Sequence, residues 1–93
     1  MRNPIELDTD LLENVMDALD RLFDGKSDII DVQRLLFTTF QALPTSYISE
    51  LINQTNKDLK IVIQKSKNKD SQREDALNIT NELRIKLAEL LDE

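Results

Sequence analysis

Apolar residues recur along most of this chain at intervals of three and four, the spacing that puts side chains on one side of an α-helix. Leu12, Val15, Met16, Leu19, Leu22 and Phe23 form the first such run, with polar residues between them. The run predicts an amphipathic helix over about 10–24, opened by Asp10 with Glu13 as an acidic form of the capping box. The residues before Asp10 are expected to form an extended lead-in. Gly25, the single glycine, suits the left-handed residue that closes a helix, because it has no Cβ to clash.

A second helix is predicted over about 28–43, capped by Ser27 or Asp28 and stopped by Pro44. Its apolar residues, Ile29, Ile30, Val32, Leu35, Leu36, Phe37, Phe40, Ala42 and Leu43, cover too much circumference for one narrow seam. Either this is the central core helix, or a flank around Ile30, Phe37 and Phe40 is left for another protein. Thr45 and Ser46 then offer a cap for a third helix over about 46–66, carried by Ile48, Leu51, Ile52, Leu59, Val62 and Ile63. Read alone, Ile61-Val62-Ile63 suits a strand, but no second strand pattern exists to pair with it. A polar link from Lys65 to Asp70 leads to Ser71-Gln72-Arg73-Glu74, a capping box of the usual form for a fourth helix over about 71–92. Its inward face is expected to be Ala76, Leu77, Thr80, Leu83, Leu87, Leu90 and Leu91. Connections this short favour antiparallel neighbours. The expected fold is all-α, an antiparallel up-down four-helix bundle in which residues 1–93 make a single domain.

Composition narrows the chemistry. The chain has neither histidine nor cysteine, which removes the commonest general base, the thiol nucleophile and the usual transition-metal ligands together. Carboxylate catalysis needs acids that are buried or closely paired, and acids on the outer side of a helix are neither. No enzyme activity and no cofactor are expected. Gly25-Lys26-Ser27 imitates the end of a phosphate-binding loop, yet Asp20 stands where that loop needs its earlier glycine. A calcium loop starting at Asp20 fails similarly, since Leu22 occupies an oxygen-ligand position. Met1 to Glu6 lacks the apolar run of a signal peptide, and no stretch has the length of a membrane span, so the expectation is a cytoplasmic protein without membrane contact.

Charge is distributed unevenly. The net charge is −6, and all of that excess lies in residues 1–50, since residues 51–93 carry equal numbers of acids and bases. Asp10, Glu13, Asp17, Asp20 and Asp24 recur at three, four, three and four, which stacks them within an arc of roughly 80°. Carboxylates so spaced repel one another by a few tenths of a kcal/mol per pair, and no base interrupts the series to relieve them. Asp20 and Asp24 also lie toward the C-terminal end of the helix, where its dipole disfavours negative charge. With Asp28 and Asp31 beyond the turn, these acids would attract a basic protein and repel a nucleic-acid backbone. The lysines from Lys57 to Lys69 lack interleaved aromatic residues and are read as a solvated face, so no direct nucleic-acid binding is expected.

The segment Leu22-Phe23-Asp24-Gly25-Lys26-Ser27-Asp28-Ile29-Ile30-Asp31-Val32, a helix closed by glycine and followed by an acid-opened apolar helix, resembles the corresponding turn of small acidic helical immunity proteins from bacterial competition systems, of the colicin and contact-dependent inhibition kinds. The resemblance implies a non-catalytic protein that binds and blocks a cognate toxin domain, often a basic nuclease. The contacts expected for such a partner are Asp17, Asp20, Asp24, Asp28 and Asp31, with Tyr47 as an aromatic anchor. The alternative is a homodimeric structural or adaptor protein that buries the apolar flank of helix two.

Overall fold

The computed structural model describes residues 4–65 and 68–91, with side chains from Thr9 onward. It is all-α: α1 (Pro4–Phe23), α2 (Ile29–Ala42), α3 (Tyr47–Lys65) and α4 (Lys69–Leu91), with no strand among the described residues. The expected ends of helices three and four, Ser66 and Asp92, lie outside the described residues. Successive helices pack together, and α1 packs against α4, so the four close a ring.

Inside the ring sits a core that is almost wholly aliphatic. Leu12, Val15, Leu19 and Leu22 come from α1, Ile29, Val32 and Leu36 from α2, Ile52, Leu59 and Val62 from α3, and Ala76, Leu83 and Leu87 from α4, with Leu43 just beyond α2. Burying one such side chain fully is worth about 1.5–3 kcal/mol. Polar groups inside are satisfied locally or across one seam. Thr55 donates to the Leu51 carbonyl and Thr80 to the Ala76 carbonyl, each at 2.8 Å, while Gln33 of α2 donates to Asn56 of α3 at 2.6 Å.

Two expected helix starts are corrected. The first helix begins at Pro4, not Asp10, so residues 4–9 are helical and not an extended lead-in. Proline is favoured at a first helical position, where its missing N–H costs nothing and its fixed φ is already helical. Asp10 therefore sits within the helix, exposed, and the Asp10/Glu13 capping box does not exist. The fourth helix begins at Lys69, because Asn68 and not Ser71 caps it: Asn68 Oδ1 accepts from the Asp70 N–H at 2.8 Å, and the Asn68 carbonyl from the Gln72 N–H at 2.9 Å. At α3 the Ser46 cap is as expected, and Ser49 completes a reciprocal pair in the role usually taken by Glu. The Ser49 N–H donates to Ser46 Oγ at 3.2 Å, and the Ser46 N–H to Ser49 Oγ at 2.9 Å.

The end of α1 is the most elaborate. Gly25 adopts φ +76°, Lys26 N–H donates to the Arg21 carbonyl at 2.8 Å, and Gly25 N–H to the Leu22 carbonyl at 3.1 Å, which together make a Schellman closure. Arg73, reaching over from α4, donates to the Leu22 carbonyl at 2.7 Å and to the Phe23 carbonyl at 2.9 Å. A guanidinium fork thus covers the Phe23 carbonyl and adds a second donor to the Leu22 carbonyl, at the negative end of the α1 dipole. One expected core position is also corrected, since Leu90 is 52% exposed, and of the three residues expected to make a free flank on helix two, Phe40 packs against the core instead.

Leu59→Ala should cost about 2–5 kcal/mol, because it empties a fully buried site, whereas Ile61→Ala, two residues on and half exposed, should stay near 0.5 kcal/mol. Chemical denaturation of both variants checks this. Gly25→Ala should cost about 1–2 kcal/mol through backbone strain alone, as its Cβ would meet Arg73 only at 3.9 Å. Arg73→Ala should cost about 1–3 kcal/mol, and Arg73→Lys should restore only part of that, since an ammonium cannot span two carbonyls as the fork does.

Candidate functional site

Outward side chains of α1 carry the acidic series. Asp10, Glu13, Asp17 and Asp24 are exposed, and Asp20 is intermediate. The series is not wholly free of bases, which corrects the expectation from spacing. Asp17 Oδ2 lies 3.2 Å from Arg21 Nε one turn on, and Asp20 Oδ1 accepts from Arg84 Nε of α4 at 2.9 Å. The Arg84 guanidinium also stacks 4.3 Å above the Phe23 ring.

These two pairs differ in consequence. The Asp17 and Arg21 side chains are both more than 60% exposed, so their attraction is screened and worth at most about 1 kcal/mol, and Asp17 is still within reach of a partner. Asp20 is tied to α4 by Arg84, whose guanidinium also lies over the Phe23 ring, while the Asp20 side chain stays 46% exposed. It contributes to closing the ring more than to the outer surface.

Asp24, Asp28 and Asp31 are exposed and make no ion pair among the described residues. Asp28 occupies the N-cap position of α2 in extended backbone, φ −83° and ψ 152°, yet its carboxylate makes no cap hydrogen bond. Asp28 and Asp31 lie where the α2 dipole favours negative charge, and Asp24 lies where the α1 dipole opposes it. The Arg73 fork on the last α1 carbonyls offsets that opposition.

A groove of about 490 Å³ opens beside the turn, and Gly25, Asp28, Ile30, Lys69, Asp70 and Arg73 are among the residues lining it. Its charges are mixed, with two acids facing two bases. Among the described residues no three acids are grouped to hold a metal ion.

Tyr47 stands apart. It is 66% exposed at the start of α3 and is separated from the turn by the whole of α2, whose 14 residues span about 20 Å. The fold therefore brings Asp24, Asp28 and Asp31 to one end of the bundle and leaves Tyr47 toward the other. Sequence reasoning missed Arg73, Arg84 and Phe23 as parts of this surface. Their partners lie 50 to 64 residues away, and the local signal, bases on the fourth helix, reads equally well as a solvated face.

No described helix is long and apolar enough to cross a membrane. Comparison of the chain with protein-family models, with curated proteins and with solved structures finds no match.

Proposed function

We propose that this chain is a non-catalytic, cytoplasmic binding protein that neutralises a basic protein partner through the acids of α1 and the turn after it. A toxin-blocking immunity protein, whose target is a nuclease domain with a basic nucleic-acid groove, is the form of this function that suits it best. The observation that carries the reading is the state of Asp24, Asp28 and Asp31: exposed, close in sequence around one glycine-closed turn, and without an ion-pair partner among the described residues. Such charges raise the rate of encounter with an oppositely charged surface and discriminate against acidic competitors. Asp10, Glu13 and Asp17 extend the attraction along α1, while Asp20 serves the fold. Direct binding of nucleic acid or of a membrane has no part in this reading, nor has a cofactor.

A second reading, self-association through the flank of α2, is favoured by the exposure of Ile30 at 47% and Phe37 at 42%. Phe40 no longer supports it, because that ring is engaged with the core.

The triple variant Asp24→Asn, Asp28→Asn, Asp31→Asn separates charge from fold. Asn caps a helix as well as Asp, relief at Asp24 offsets the loss at Asp31, and the melting temperature should move by only a few degrees. Captured from a lysate of the source cells and identified by mass spectrometry, the partner should be a basic protein. Its affinity for the triple variant should fall about tenfold at low salt, and the difference should vanish as salt rises. An acidic partner, or one that binds wild type and variant equally at low salt, would disprove the reading.

A further inference from the structure

The Gln33–Asn56 hydrogen bond marks the line where α2 meets α3, and the residues one turn away on either side of it define a second surface. On α2, Ile30 and Phe37 lie three before and four after Gln33, and Arg34 lies four after Ile30 and three before Phe37. On α3, Lys60 lies four after Asn56, and Lys57 lies three before Lys60. Helical spacing therefore sets two half-exposed apolar side chains beside three exposed bases along one groove. Arg34, Lys57 and Lys60 make no ion pair among the described residues. Asp58, the nearest acid in sequence to Lys57, is turned about 100° away from it, whereas Asp31 lies one turn before Arg34 and makes no ion pair with it among the described residues. Farther along α2 and α3 lies a pocket of about 430 Å³, with Phe40, Leu43, Ser49, Glu50 and Asn53 among the residues lining it.

We infer that the α2–α3 groove docks an acidic amphipathic helix of a partner protein, its apolar side chains on Ile30 and Phe37 and its carboxylates on Arg34, Lys57 and Lys60. The charge of the rim selects the occupant. A two-fold pairing of this surface with a second copy would bring Arg34 and the two lysines toward their own counterparts, a repulsion that an apolar contact of two side chains does little to offset. A partner that alternates acids with apolar residues at three and four meets both components at once, as helix-in-groove recognition requires. This surface adjoins the acidic turn at Ile30, which also lines the groove beside that turn, and its occupant carries the opposite charge from the basic partner proposed there.

The test uses the full chain and a lactam-stapled helical peptide of about sixteen residues, with Leu at i, i+3 and i+7 and Glu at flanking positions. A twin with Lys for every Glu is the control, and fluorescence anisotropy at about 50 mM salt is the readout. The acidic peptide should bind. Phe37→Ala, and separately the pair Lys57→Glu and Lys60→Glu, should each weaken it about tenfold or more, whereas Asp24→Asn with Asp28→Asn should not weaken it. Any binding of the lysine twin reports on the acidic turn, and should respond to the two Asp changes and not to Phe37→Ala. The inference fails if the acidic peptide does not bind or binds all variants alike. It fails equally if a single-stranded oligonucleotide of similar charge displaces the peptide with equal affinity, or if sedimentation shows a dimer of the chain that Phe37→Ala dissociates.

Discussion

The contact between the first helix and the last sets both the closure of the fold and the charge that its surface shows. Across it, Leu19 and Leu22 share a buried aliphatic core with Ala76, Leu83 and Leu87, and two arginines of α4 fasten the outer edge. Arg73 takes the terminal carbonyls of α1, while Arg84 takes Asp20 and the face of Phe23. The aliphatic contact supplies the larger free energy, since each buried leucine is worth more than a half-exposed ion pair. The arginines supply direction, because a fork that must meet two carbonyls tolerates little sliding of one helix along the other.

That arrangement also sorts the acids. Two bases able to reach α1 from α4 are spent at its C-terminal end, one on backbone and one on Asp20. Asp24, Asp28 and Asp31 lie just past the region these arginines serve and carry their charge to the surface. The polarity of the molecule thus follows from how the ring is fastened and not only from how many acids the chain has. On α2 and α3 the balance is reversed, with Arg34, Lys57 and Lys60 making no ion pair among the described residues and exposed along with Ile30 and Phe37.

Much of the scaffold was legible from periodicity. Leu12, Val15, Leu19, Leu22, Ile52, Leu59, Leu83 and Leu87 are buried where the three-and-four spacing puts them, and Gly25 and Pro44 stop helices for the reasons their backbone chemistry supplies. Two helix starts differ from the expected ones, each for its own physical reason. In a chain this rich in acids, a pair such as Asp10 and Glu13 occurs inside a helix as readily as at its start, so it competes poorly with the fixed φ of Pro4. Near residue 70 the cap is Asn68, three residues before the expected Ser71. This extends α4 by two residues and leaves Arg73 on its second turn, facing α1. For the surface, spacing located the acidic series but not its neutralisation, because ion pairs across 64 residues of sequence are set by packing alone. Tyr47 was placed correctly at a helix start, yet no local pattern tells that α2 separates it from the acidic turn.

The acids around Gly25, which make no ion pair among the described residues, are the surface proposed to receive a cation-rich partner. Titration of isotope-labelled protein with a short lysine-rich peptide, followed through backbone amide shifts at low salt, reads this directly. The account predicts shifts concentrated from Asp24 to Asp31 and along the outer side of α1, which collapse as salt is added. Shifts spread evenly over all four helices, or centred on Glu74, Glu82 and Glu89 of α4, would contradict it.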